Sequence, residues 1–346
     1  FGKAVMVEEG TTNLIGSVGS FETDSNGDGI ADGWNAVLYG SIPSLVNDSL
    51  FGIKAQRITS TTSDTHAARR IEKNVSITGG KTYTFSAYAK TDGVTPAYLR
   101  IDTNGNTPVF LQSLKTTATT WTKLQVTFTA PADATSVYVR CYNDAPIGAV
   151  GWVQFDGAQL EEKPYATSFI DGTRAAETLT IPTAGVLSAQ RGEIAILRQM
   201  DIASNNPPSG VHRNIFSLKG VVWGIFVPNS AANEIRWAVG GWSSLVRATI
   251  TWDAGDRLWI FAEWDLPNAT LHVYNITKST HVSASITNAV SVTVPSLAYV
   301  GCADGAYFNT HCNGLIDDLR ISSIARSDEE IAAYQSGQPL QRDEYT

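Results

Sequence analysis

The chain has 346 residues, 43% of them hydrophobic and 17% charged, with a formal net charge of −8 at pH 7. That length accommodates two cores of ordinary size. An acidic balance without a dense Lys/Arg cluster argues against nucleic acid and anionic membrane as partners, and no apolar run approaches a bilayer span.

The chain opens on Phe1 rather than Met, which reads as a fragment or a processed product. Residues 1–10 read as an N-terminal strand or lead-in. The run Asp24-Ser25-Asn26-Gly27-Asp28-Gly29-Ile30-Ala31-Asp32-Gly33-Trp34 then alternates oxygen-bearing side chains around a glycine turn. Such a loop suits Ca²⁺, which takes about six to eight oxygens. The candidate ligands are Asp24, Asn26, Asp28, Ile30 and Asp32. Asn35 stands where an EF-hand carries its bidentate Glu, and no amphipathic helix leads in. The loop is therefore of the kind inserted in secreted β-domains. The same residues also compose a polar, Asx-rich turn that needs no metal.

Period-two alternation follows. Tyr83, Phe85 and Ala87 alternate with Thr84, Ser86 and Tyr88; Leu99 and Ile101 with Tyr98, Arg100 and Asp102. Leu124, Val126 and Phe128 alternate with Gln125 and Thr127; Val137 and Val139 with Tyr138, Arg140 and Tyr142. These predict half-buried antiparallel strands bounded by turn clusters, the pattern of a sandwich or jelly roll. Cys141 continues the apolar side as a buried thiol. Residues 164–190 carry little periodicity and read as a linker, with a short strand at 178–181. A second β series runs through 193–201, 221–227, 235–239, 247–252, 257–264, 270–276, 297–301 and 314–321, with a hairpin turn at 265–268. Cys302 and Cys312 flank a short loop and could face each other as a disulfide. Ser327-Asp328-Glu329-Glu330 is a capping box that starts one short helix, stopped by Gly337. The tail is 335–346.

Catalytic signatures are sparse. Glu263-Trp264-Asp265 is the nearest approach to the strand-borne carboxylates of a sandwich-fold glycosidase, but no third acid follows and Asp265 enters a turn. There is no G-x-S-x-G and no P-loop or dinucleotide glycine pattern. His66, His212, His272, His281 and His311 have no metal spacing and read as surface or loop histidines. Asp317-Asp318 have the composition of a metal pair, but read as one residue pointing inward to bond backbone and one pointing outward, because neighbours on a strand face opposite sides. Glycan recognition uses flat rings against pyranose faces and planar polar groups against hydroxyls. Tyr98, Arg100, Tyr138, Arg140 and Tyr142 present that mixture opposite their strands' aliphatics. A solvated or domain-packing face has the same composition. Trp152, Gln154 and Asp156 alternate on a further strand whose side is open. Of the tryptophans in the second half, Trp242 in Gly240-Gly241-Trp242-Ser243 is the one expected on a loop surface.

Three resemblances follow from short motifs. Asn13-Leu14-Ile15, Phe21-Glu22, Asp32-Gly33-Trp34 and Phe155-Asp156-Gly157-Ala158-Gln159-Leu160-Glu161 resemble the carbohydrate-binding modules of families 4 and 9, over 11–163. The resemblance implies a galactose-binding-like jelly roll with a structural calcium, here on Glu22 and Asp156; Gly157 replaces the usual second Asp or Asn. Gly314-Leu315-Ile316-Asp317-Asp318-Leu319-Arg320-Ile321, followed by Ser327-Asp328-Glu329-Glu330-Ile331, resembles the close of a laminin-G or concanavalin-type sandwich, over 191–334. Residues 2–14 and 159–169 are similar to segments of bacteriophage and prophage tail proteins.

The expected protein is all-β, two β-sandwich (jelly-roll) domains in tandem with one short C-terminal helix. It is expected to be a non-catalytic, calcium-stabilised, carbohydrate- or cell-surface-binding protein of a phage tail or other extracellular assembly. Its expected partner is a glycan or bacterial surface polysaccharide, and its architecture admits a homo-oligomer or virion assembly. The competing readings are a structural fibre spacer and the accessory binding region of a polysaccharide-degrading enzyme.

Overall fold

A computed structural model describes residues 5–6, 8, 10–66, 69–206, 212–218, 222–229, 231–302, 311–312, 314–322 and 331. Two compact units result: residues 10–175, and residues 1–9 together with 176–346.

In the first unit, alternation resolves into two five-stranded antiparallel sheets. Sheet I runs Asn35–Val37, Arg69–Ser76, Ser136–Asn143, Ala97–Thr103, Phe110–Gln112. Sheet II runs Thr122–Thr129, Thr82–Thr91, Gly151–Glu161, Ala55–Ser60, Ile42–Val46. Ile71, Leu99, Ile101, Val137, Val139 and Cys141 of sheet I share one core with Ile58, Phe85, Val126, Val153, Phe155 and Leu160 of sheet II. Burying each such side chain contributes about 1.5–3 kcal/mol. Burial also pushes the Cys141 thiol pKa well up, so it acts as a small apolar residue. Because neighbours on a strand face opposite ways, this core leaves Tyr98, Arg100, Tyr138, Arg140 and Tyr142 on the outer face of sheet I.

The second unit has two six-stranded antiparallel sheets. Sheet III runs Val5–Met6, Leu315–Ser322, Arg191–Gln199, Arg257–Asp265, Asn268–Asn275, Thr280–Ile286; sheet IV runs Leu179–Pro182, Leu297–Val300, Arg213–Leu218, Trp223–Val227, Glu234–Val239, Leu245–Thr249. Trp223, Trp237, Trp252 and Trp264 lie in the core between them. Trp259 is buried on the outer face of sheet III with Ala195, Leu197, Phe261, Tyr274 and Ile331.

Several expectations change here. Within 164–190, the short strand expected at 178–181 is present as Leu179–Pro182, which pairs with Leu297–Val300 in the second unit. A further strand, Thr173–Arg174, pairs with Thr11–Thr12 in the first unit; with two residues it carries no periodic signal. At the N-terminus Val5–Met6 is a strand, one of the two readings of residues 1–10, and it pairs with Leu315–Ser322. Cys302 and Cys312 are buried and form no disulfide with each other, although the Cys312 N–H donates to the Gly301 carbonyl at 2.7 Å. Asp317 and Asp318 each take an arginine, Arg257 at 3.1 Å and Arg320 at 2.7 Å, rather than backbone. His272 is no loop histidine. It is buried within a strand, 3.9 Å from the Glu263 carboxylate. The capping box at 327–330 and the tail lie outside the described residues; Ile331 is helical.

Candidate functional site

The outer face of sheet I is a ladder of opposite charges. Register sets Glu72 opposite Arg140, and Arg140 opposite Arg100. Arg140 donates from Nε to Glu72 Oε2 at 2.8 Å and pairs through Nη1 with Asp102. Arg70 Nε reaches the same Glu72 oxygen at 2.7 Å, and Arg100 Nε reaches Asp102 Oδ1 at 2.6 Å. Three arginines thus share two carboxylates, in the order Arg70, Glu72, Arg140, Asp102, Arg100. Each guanidinium plane is held by a charge-assisted bond. The resulting excess of one positive charge is spread over a rigid row.

Aromatic rings flank the row on both sides. Tyr98 and Tyr142 stack at 4.6 Å with planes 8° apart. Arg70 lies 5.6 Å over Tyr142, and Lys115 lies 5.3 Å over Tyr98. Tyr142 is consequently only 4% exposed and Tyr98 9%. Burial, with Tyr142 beside it, pushes the Tyr98 phenol up to about 12. On the other side Tyr138 lies under Arg140 at 5.1 Å and remains 37% exposed, while Phe110 lies under Arg100 at 5.5 Å and is 56% exposed. The structure therefore brings all five expected face residues together but corrects their roles. Tyr98 and Tyr142 are a buried brace, and the rings left exposed are Tyr138 and Phe110.

Members contributed by two other strands were not foreseen. Arg70 and Glu72 of the row, and Asn74 opposite Tyr138, sit on Arg69–Ser76, whose apolar residues Ile71 and Val75 are four apart with charged Glu72 and Lys73 between, so no alternation stands out. Phe110 belongs to an exposed edge strand of three residues. Trp152 and Gln154 prove to lie on sheet II, where Arg57 stacks on Trp152 at 4.5 Å and bonds Gln154 at 2.8 Å. Trp34 is buried against Phe21.

The metal candidates fall into two groups. In the loop, Asp24 accepts N–H bonds from Gly27 and Gly29, Asn26 from Asp28, and Asp28 from Ile30, at 2.8–3.1 Å. Asp32 accepts from Ser25 N at 3.0 Å and Oγ at 2.6 Å, which lowers its pKa. The Asn26 and Asp28 bonds are those of two consecutive Asx turns, whereas Asp24 reaches three and five residues ahead and Asp32 seven residues back. Glu22 and Asp156 form the second group. Glu22 accepts from Ile53 N at 3.0 Å, and Asp156 accepts from Leu50 N at 2.7 Å, Phe51 N at 2.8 Å and Gly157 N at 2.7 Å. Burial, despite those N–H bonds, raises Asp156 to about 6, and the nearby Glu22 charge adds to the rise. Gly157 sits at φ +59° where the ladder register slips between Asp156 and Gln159, and a Cβ there would come within 2.6 Å of the Phe51 ring. Among the described residues no three Asp, Glu, His or Cys converge closely enough to hold a metal. The adjacent carboxylates of Glu22 and Asp156 nonetheless supply the hard oxygen donors a Ca²⁺ ion takes.

Glu263 faces Glu193 across the sheet III ladder. Both are buried, so neither presents a carboxylate to solvent. Asp265 is at the exposed strand end.

Residues 15–146 match the family model for a carbohydrate binding domain. Among solved structures, the CBM22-1-GH10 modules of Clostridium thermocellum endo-1,4-beta-D-xylanase 10B, determined with xylohexaose, are similar at 16% identity over 46% of this chain, with a TM-score of 0.33. This chain spans 29% of that one. The tandem CBM22-1-CBM22-2 domains of Paenibacillus barcinonensis Xyn10C align at 14% identity over 93% of this chain and 100% of theirs, with a TM-score of 0.34. The LG1-3 region of the laminin alpha2 chain aligns at 8% identity over 74% of this chain and 65% of its own, also at 0.34. No curated protein matches.

Proposed function

We propose that this chain is a non-catalytic carbohydrate-binding protein whose glycan lies across the outer face of sheet I. The observation that carries the reading is the rigid guanidinium–carboxylate row between the exposed rings of Tyr138 and Phe110. Those rings stack on pyranose faces, and the row meets hydroxyls with planar donors and acceptors. The match of residues 15–146 to a carbohydrate binding domain supports it.

An open sheet face buries little ligand, so each site is weak, with Kd on the order of 0.1–1 mM. Display of several copies multiplies affinity by roughly 10²–10⁴. That arithmetic favours an extracellular or virion-borne attachment module, directed at a bacterial surface polysaccharide, over a lone soluble binder. Calcium bound through Glu22 and Asp156 would stabilise the first unit by neutralising two neighbouring carboxylates.

The test is calorimetric titration with neutral oligosaccharides such as xylohexaose and cellohexaose. Tyr138→Ala and Phe110→Ala should each weaken binding about tenfold with little change in the melt. Binding unaffected by both variants places the site elsewhere, and a broad panel with no binder leaves the structural-spacer reading.

A further inference from the structure

The outer face of sheet IV, in the second unit, carries a second aromatic platform. Trp242 lies in the turn between Glu234–Val239 and Leu245–Thr249 and is 45% exposed. Its ring is held from two sides: Phe226 meets it edge-on at 6.0 Å and 75°, and His212 lies 6.0 Å away at 39°. His212 also packs on Phe226 at 4.7 Å. Phe226, Ala238, Val222 and Leu245 form a small apolar cluster on this side of the sheet, away from the main core. The platform is thus fixed by packing rather than by a flexible loop.

Charge lies directly beside it. Phe226 is the cross-strand partner of Arg236, and Arg236 is the partner of Arg247. Arg236 donates from Nε to Glu234 at 2.6 Å, whereas Arg247 is exposed. These three groups leave one excess positive charge on a chain whose net charge is −8. The His212 Nδ1 accepts the Asn229 N–H at 3.1 Å, so the neutral ring carries its hydrogen on Nε2. Burial, and secondarily Arg236, hold the His212 pKa below the usual histidine value, which keeps that neutral form.

A fixed, half-exposed indole suits the C–H face of a pyranose, and a guanidinium fork suits a carboxylate. We propose that this face is a separate binding site for a uronate-type acidic saccharide. Trp242 lies beneath the sugar ring, and Arg247, with Arg236 behind it, takes the carboxylate. The site shares no residue with sheet I and goes beyond the function proposed for that face.

The test is titration of the full chain with tetragalacturonate at low salt, followed by calorimetry. Wild type should bind with Kd on the order of 0.1–1 mM. Trp242→Ala and Arg247→Glu should each weaken it at least tenfold, and 0.5 M NaCl several-fold. Tyr138→Ala should leave tetragalacturonate binding intact. Should Trp242→Ala disturb the fold, Arg247→Glu at an exposed position decides. The proposal is overturned if tetragalacturonate does not bind, if binding survives Arg247→Glu, or if Tyr138→Ala abolishes it. Failure of the sheet I reading looks different: neutral oligosaccharide binding would survive Tyr138→Ala and Phe110→Ala.

Discussion

Tyr138 and Tyr142 lie four residues apart on one strand face, with Arg140 between them, yet alanine at each should do opposite things. Tyr142 is 4% exposed, stacked on Tyr98 at 4.6 Å and covered by Arg70. Deleting a buried aromatic side chain costs about 3–5 kcal/mol in a core. This ring lies on a sheet face rather than between sheets, so part of that loss is recovered by relaxation. The lost ring pair itself accounts for about 0.5–1.5 kcal/mol. Together these place Tyr142→Ala at about 2–4 kcal/mol, roughly 5–15 °C in Tm for a unit of this size. Tyr138 is 37% exposed and contacts one guanidinium at 5.1 Å, an interaction of about 0.5–1 kcal/mol at such a site. Tyr138→Ala should shift Tm by less than about 4 °C. Differential scanning calorimetry of the two variants separates these cases. Equal melts for Tyr142→Ala and wild type would refute the buried brace, and a large drop for Tyr138→Ala would remove it from the ligand face.

Four further outcomes are expected. Glu72→Ala leaves Arg70 and Arg140 facing each other with one partner lost, and should destabilise by about 1–3 kcal/mol, measured by urea unfolding. In EDTA, Asp156 has a folded pKa of about 6 against an ordinary 3.8. Its stabilising contribution is complete below pH 3.8 and lost as pH rises through 6, so its share of the first unit's stability should fall over that window; proton uptake on folding at pH 5, by calorimetry in two buffers, reads it directly. At pH 7, Ca²⁺ at a hundredfold excess over Kd should add about 2.7 kcal/mol, while melts unchanged between Ca²⁺ and EDTA, with no metal in the purified protein, would remove calcium from the account. Gly19→Ala drives a Cβ to 2.1 Å from the Ala158 carbonyl, and should lower soluble yield and Tm, whereas Gly27→Ala, with open space around it, should cost less.

The all-β class and the two sandwiches were legible in the sequence because apolar residues at period two bury one strand face, whatever the strand's neighbours. That regularity also separated Tyr98, Arg100, Tyr138, Arg140 and Tyr142 from the core, and the glycine-rich turn marked Trp242 as exposed. Strand order, pairing and register lay beyond it. Arg69–Ser76 hid its alternation behind Lys73 and Glu72, yet it supplies the carboxylate that holds Arg140. Thr173–Arg174 is a strand only because a distant partner, Thr11–Thr12, completes its hydrogen bonds. Sequence periodicity fixes which side of a strand a residue takes; only pairing decides what stands beside it. Tyr142 and Tyr138 share a side, but the first meets Tyr98 and Arg70 and is buried, while the second overlooks Asp102 and Asn74 and stays open. Exposure is a property of neighbours drawn from far along the chain, and so the choice between brace and binding surface was made by the tertiary structure.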